Sequence, residues 1–285
     1  MWKTTIALLS VFMLNSCANY GQLSYVAKLP KKLKENSGMI TLNDSLVWLI
    51  EDHGNENEIY QVDFKGNLVR ELKVKNAHNE DWEDLTKDLN KNIFIGDFGN
   101  NDNKRKDLTI YKIPNPEITK DKKTEAEKIK FSYPNQKEFP PSAAEMNFDA
   151  EAFFHHNDAL YIISKNRTKP FTGVASIYKV PATPGEYKAE FIGEFITCKQ
   201  EGECRVTAAD ISPDGSTIAL LGYGKLWLFS AFEWDDFSKG KMKTIDLGIS
   251  TQLESVSFLD NATLLLSDEV RDDTGGNLYT IKISK

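Results

Sequence analysis

Carboxylates recur along this chain at places where they can act together. Glu83-Asp84, Glu151, Asp210 and Glu254 each open a short hydrophobic segment, and Glu51-Asp52, Asp97 and Asp268-Glu269 each close one. Lys165, Arg167, Arg205 and Arg271 are the cations at matching positions. Groups of this kind suit a hard divalent ion, because calcium takes about six to eight oxygen ligands in irregular geometry. A pair of them about 5–10 Å apart can also cleave a glycosidic bond. The other familiar chemistries are missing from the motifs, since the chain carries no Gly-x-Ser-x-Gly, no His-Glu-x-x-His and no phosphate-binding glycine-rich loop. His155-His156 precedes Asn157-Asp158, which reads as a turn and not as a metal site.

An internal repeat positions these carboxylates. Aromatic-centred strands are built around Tyr60, Tyr111, Tyr178, Trp227 and Tyr279, spaced 51, 67, 49 and 52 residues apart. Two short hydrophobic strands precede each aromatic strand, and one follows it in all but the last unit. Turn residues such as Ser212-Pro213-Asp214-Gly215 lie between them. Four short strands per unit describe a propeller blade. The last unit ends without its fourth strand, and the alternation of Leu23 to Leu29 supplies it from the front of the chain. The expected fold is therefore all-β, a propeller of five four-stranded blades closed by an N-terminal strand. Six blades stay open if the segment from Pro114 to Met146 hides further strands.

In such a ring the first strand of each blade lines the axis, and the second runs antiparallel beside it. The start of one and the end of the other then share a mouth. The expected rim is Glu83, Asp84, Asp97, Glu151, Lys165, Arg167, Asp210, Glu254 and Asp268, with Glu83, Asp97, Glu151 and Glu254 as candidate metal ligands. Two carboxylates about 6 Å apart repel by roughly 3 kcal/mol at an effective dielectric of 20. A crowded rim must therefore be solvated, protonated, ion-paired or metal-bound.

Composition narrows the setting. With 35 basic against 42 acidic residues the formal charge is −7, which excludes a generic nucleic-acid binder. Met1-Trp2-Lys3 followed by an 11-residue apolar run, Thr4 to Leu14, suits a signal peptide and is too short to span a bilayer. Leu14-Asn15-Ser16-Cys17 resembles the lipobox of bacterial lipoproteins. That resemblance implies removal of residues 1–16, lipidation of Cys17, a tether over 17–22 and a single propeller domain over 23–285. It also implies membrane association through the lipid anchor. Ala18 in place of Asp favours the outer membrane. Export to an oxidising compartment in turn pairs Cys198 with Cys204 across a short polar loop.

Asp81-Trp82-Glu83-Asp84-Leu85 with Phe94-Ile95-Gly96-Asp97-Phe98-Gly99-Asn100-Asn101, and Asn147 to Ala152 with Leu160 to Lys165, resemble exported bacterial propellers of the phytase-like group. Wider relatives of that group include calcium-dependent phosphatases and lactonases. The resemblance implies a cation, calcium, in the channel. Two functions follow as expectations. One is a lipid-anchored binding or scaffolding propeller that holds a cation or a hydroxyl-rich ligand at its mouth. The other is a calcium-dependent hydrolase of phosphate esters or lactones.

Overall fold

The computed structural model describes residues 19–283. Residues 1–16 and Cys17, expected to form the signal peptide and the lipid attachment point, lie outside the described residues, as does the start of the tether.

Five antiparallel sheets form a closed ring, confirming the five-bladed propeller. Blade 1 comprises Asn36–Thr41, Leu46–Glu51, Glu58–Asp63 and Leu68–Val74. Blade 2 comprises Trp82–Lys87, Ile93–Asp97, Thr109–Ile113 and Glu127–Ser132. Blade 3 is Asp149–His156, Ala159–Lys165, Val174–Pro181 and Glu190–Ile196. Blade 4 is Val206–Ile211, Thr217–Gly222, Lys225–Ser230 and Lys241–Asp246. Blade 5 contributes Leu253–Asp260, Thr263–Asp268 and Asn277–Lys282, and Ser24–Lys28 pairs antiparallel with the last of these to complete it.

Two blades exceed the expected four strands. Lys123–Thr124 adds in parallel to the outer edge of blade 1, and Gly185–Lys188 adds in parallel to the outer edge of blade 2. Each is donated by chain that belongs to the next blade. Covering an edge in this way occupies backbone groups that would otherwise template aggregation. The segment from Pro114 to Met146 contains the outer strand of blade 2 and the short strand lent to blade 1, so it hides no sixth blade.

Period-two alternation builds the core. Along Ile93–Asp97, Ile93 and Ile95 face blade 1, whereas Phe94 faces blade 3. Apolar clusters accordingly fill all five interfaces between neighbouring blades. Tyr60, Tyr178, Trp227 and Tyr279 are fully buried in them, and Tyr111 nearly so. Trp82 is buried between blades 1 and 2 and donates its indole N–H to the carbonyl of His78 at 2.9 Å.

The innermost strands have no further strand to pair with on the axial side, so their buried N–H groups need other acceptors. Side chains on the inner strands supply them, mostly from another blade. Asp84 Oδ2 accepts from Phe153 N at 3.2 Å and from Ala209 N at 3.1 Å, while its Oδ1 accepts from Leu85 N. Asp210 Oδ2 accepts from Phe258 N at 2.7 Å, and the hydroxyls of Thr86 and Ser257 accept from His155 N and Thr41 N. Gly38 is required here, because a Cβ would meet the backbone of Asp84 at 2.6 Å where the inner strands of blades 1 and 2 approach.

Candidate functional site

Every inner strand carries a β-bulge near its start. Pairing with the second strand skips one residue in each blade, and the extra residues are Ser37, Glu83, Glu151, Thr207 and Glu254. A bulge re-aims the side chain of its extra residue. Four of these five, Ser37, Glu83, Glu151 and Glu254, line a cavity of about 370 Å³ at the channel mouth. Thr207 instead donates its hydroxyl to the carbonyl of Leu253 at 2.6 Å.

Six carboxylates line this mouth: Glu35, Asp52, Glu83, Glu151, Glu254 and Glu269. Only three cations, Lys165, Arg167 and Arg271, line it with them. Two residues before the bulge, blades 2 and 3 add Asp81 and Asp149, giving the pairs Asp81/Glu83 and Asp149/Glu151 side by side. Oxygens of Asp52, Asp81 and Glu83 lie within 4.8 Å of one another, and so do those of Glu83, Asp149 and Glu151. Glu83 belongs to both groups.

The two groups are neutralised differently. Arg167 Nε meets Asp149 at 2.5 Å, and its Nη2 meets Glu151 at 3.0 Å and also Asn101 Oδ1. Lys165 Nζ meets Glu151 at 2.9 Å. Among the described residues, no ion pair reaches Asp52, Asp81 or Glu83. At 4.8 Å each pair of charges there would repel by about 3.5 kcal/mol at an effective dielectric of 20. The protons respond. Burial first, then the charges of Asp52 and Asp149, push Asp81 up to about 8. Glu83 is held well above the usual carboxylate range by burial and by Glu151 and Asp52. Burial raises Asp52 as well. Burial and Glu151 raise Asp149 only to about 6, because Arg167 opposes them. Burial takes Glu254 to about 8 against the pull of Lys165. Burial disfavours the charge of Lys165, but Glu151 and Glu254 outweigh it and keep its pKa well above the ordinary value.

The loop after the second strand of blade 2 builds the wall. Gly99 is the one residue that fits, since a Cβ there would run into Glu83 Oε1 and Asp81 Oδ2. Asn100 donates its N–H to Asp149 Oδ1 at 2.6 Å and its amide to the carbonyl of Phe148, fastening blade 2 to the start of blade 3. Asn101 lines the mouth.

Of the residues expected at the rim, Glu83, Glu151, Lys165, Arg167 and Glu254 line this cavity. The other four lie elsewhere. Asp84 and Asp210 are buried further along the axial strands and serve as backbone acceptors; burial pushes Asp84 well above the usual carboxylate range, against three N–H donors that favour its charge. Asp97 pairs with Arg105 at 3.0 Å, accepts from Asp81 N and lines a separate surface depression. Asp268 accepts from Thr251, Asn277 N and the phenol of Tyr279 and braces blade 5. Among the candidate metal ligands, Glu83 and Glu151 converge with other carboxylates, whereas Asp97 and Glu254 fall outside both groups. Asp52, Asp81 and Asp149 complete the two carboxylate groups instead. The matching spacing of Asp81-x-Glu83 and Asp149-x-Glu151 was the available signal. The Cys198–Cys204 disulfide is formed and closes a loop beside the same end of the channel.

No family model matches the chain, and no curated protein matches it. Among solved structures it is similar to the PQQ-bound form of aldose sugar dehydrogenase from Streptomyces coelicolor, with 10% identity and a TM-score of 0.54 over 92% of this chain and 98% of that one. At that identity the likeness is one of fold.

Proposed function

We propose that this chain is an exported propeller, anchored through lipid on Cys17 to the outer membrane, that binds a divalent cation at its channel mouth and presents it to a small ligand. Calcium is the cation favoured by an all-oxygen, irregular set. The observation that carries this reading is the Asp52–Asp81–Glu83 group, three crowded carboxylates with no cationic partner among the described residues. A bound ion would replace their retained protons. Glu83 sits at the shared corner, so the ion would also stand beside the Arg167-bound pair Asp149/Glu151.

Calorimetric titration of the mature chain carrying Cys17→Ser, with calcium and with magnesium, tests the reading. Calcium binding that disappears in Glu83→Gln is expected. A flat calcium titration, with no shift in melting temperature, removes the cation from the proposal.

A calcium-dependent hydrolase of phosphate esters or lactones is the second reading. It is favoured by Lys165 and Arg167 next to the carboxylate groups, where they can steady an anion while a metal polarises the scissile bond. The carboxylate oxygens within 4.8 Å of one another are closer than the about 5–10 Å of a glycosidase pair, which disfavours that chemistry for these residues. PQQ is itself a polycarboxylate, and six carboxylates against three cations are a poor match for it. The proposal therefore takes no redox step from the structural neighbour.

A further inference from the structure

The acidic mouth is one side of a larger depression. Arg167, Tyr223, Gln252 and Arg271 line both it and an adjoining cavity of about 730 Å³, a size within the ~300–1,000 Å³ of small-molecule sites. The disulfide loop walls this second compartment through Glu201 and Gly202, and Arg205 follows directly after it.

The charge of the compartment can be followed side chain by side chain. Arg167 is committed to Asp149 and Glu151, and Arg205 to Glu201. Arg271 is exposed and has no ion-pair partner within reach among the described residues; Glu269 acts on it only at longer range. One uncommitted guanidinium thus faces a space with neutral hydrogen-bonding groups around it. The Tyr223 phenol stays protonated, its pKa pushed up to about 12 by burial. Ser250 adds a hydroxyl.

We propose that this compartment binds the carboxylate of a small hydroxylated acid, of the sugar-acid class, with Arg271 as the counter-charge and the hydroxyls of Tyr223 and Ser250 pairing with ligand hydroxyls. A guanidinium fork matches a carboxylate in shape and charge. A monoanion balances one free guanidinium, whereas a phosphate dianion brings a second charge for which the compartment holds no further uncommitted guanidinium among the described residues. The inference rests on the mouth being a binding site, as read above, and not on its cation.

The test is calorimetric titration of the mature Cys17→Ser chain with glucuronate, glucose and glucose 6-phosphate, each with and without calcium. Glucuronate is expected to bind, and glucose at least 10-fold more weakly. Arg271→Gln is expected to cost glucuronate at least 10-fold and Arg271→Lys less. Arg271 is on the surface, so neither variant disturbs the fold. Absent glucuronate binding, binding that Arg271→Gln leaves intact, or tighter binding of glucose 6-phosphate each overturns the inference. Glucuronate binding without calcium binding overturns the cation reading alone, and the reverse result overturns this inference alone.

Discussion

Asp81 and Asp149 occupy equivalent positions in adjoining blades, each two residues before the glutamate of a bulge, yet only Asp149 meets a guanidinium, that of Arg167 at 2.5 Å. The difference splits one belt of carboxylates into a neutralised half and an open half. The open half is where the proposed cation would be held.

Removing a carboxylate from that half should therefore separate binding from stability. In saturating calcium, at about 100 times the dissociation constant, the mature protein should gain about 2.7 kcal/mol. Glu83→Gln is expected to abolish that gain, whereas Asp97→Asn, which loses the charge that faces Arg105 but keeps an oxygen to accept from Asp81 N, should lower stability and retain a calcium response. Thermal melts with and without calcium give both numbers.

Stability should fall as pH rises. Asp81 and Glu254 keep their protons to about 8 in the folded state, while their unfolded values are the ordinary 3.8 and 4.5. Between those limits the folded chain binds more protons than the unfolded one. Their contribution is complete below about pH 4 and is lost as pH climbs through about 8, with a slope of about 1.4 kcal/mol per pH unit for each group. Urea unfolding at pH 5 and pH 8 without divalent ions should show the lower stability at pH 8. Calcium should flatten the dependence, and Asp81→Asn should reduce it.

Gly99→Ala tests the wall while leaving every proposed ligand residue in the sequence. The new methyl group displaces the Glu83 and Asp81 carboxylates. Calcium affinity is expected to drop at least 10-fold while circular dichroism and the overall fold stay the same. Unchanged affinity would mean that these two side chains do not hold the ion.

Asp84→Ala should act in the opposite sense. It strips the acceptor from Leu85 N, Phe153 N and Ala209 N where all are shielded from the surface. Each orphaned donor costs about 1–3 kcal/mol, so a loss of at least about 3 kcal/mol is expected in urea unfolding. Calcium affinity at the mouth should change little.

The ring was legible in the sequence because blades repeat and because period-two alternation survives in every strand. What escaped notice was the contribution of one blade to another. Lys123–Thr124 and Gly185–Lys188 pair in parallel with strands far away in sequence, and two or four residues carry too little pattern to reveal it. The site was half legible for a similar reason. Glu83, Glu151 and Glu254 mark the bulge in three blades, but blade 4 places Thr207 there, and the nearby acid, Asp210, drew the start of that strand forward by four residues. Asp210 is needed for Phe258 N, a backbone demand that no side-chain pattern displays. Asp97 has an acidic residue's sequence context and a structural residue's place, set by Arg105 eight positions on.

The seam of the ring has a temporal consequence. Ser24–Lys28, near the front of the chain, finds its partner only in Asn277–Lys282, near its end. During synthesis this strand must wait, with Leu23 and Ala27 unburied, until Asn277–Lys282 has emerged. Closure of the ring thus has to follow synthesis of the fifth blade, and any chain released before it leaves both free edges exposed to its neighbours.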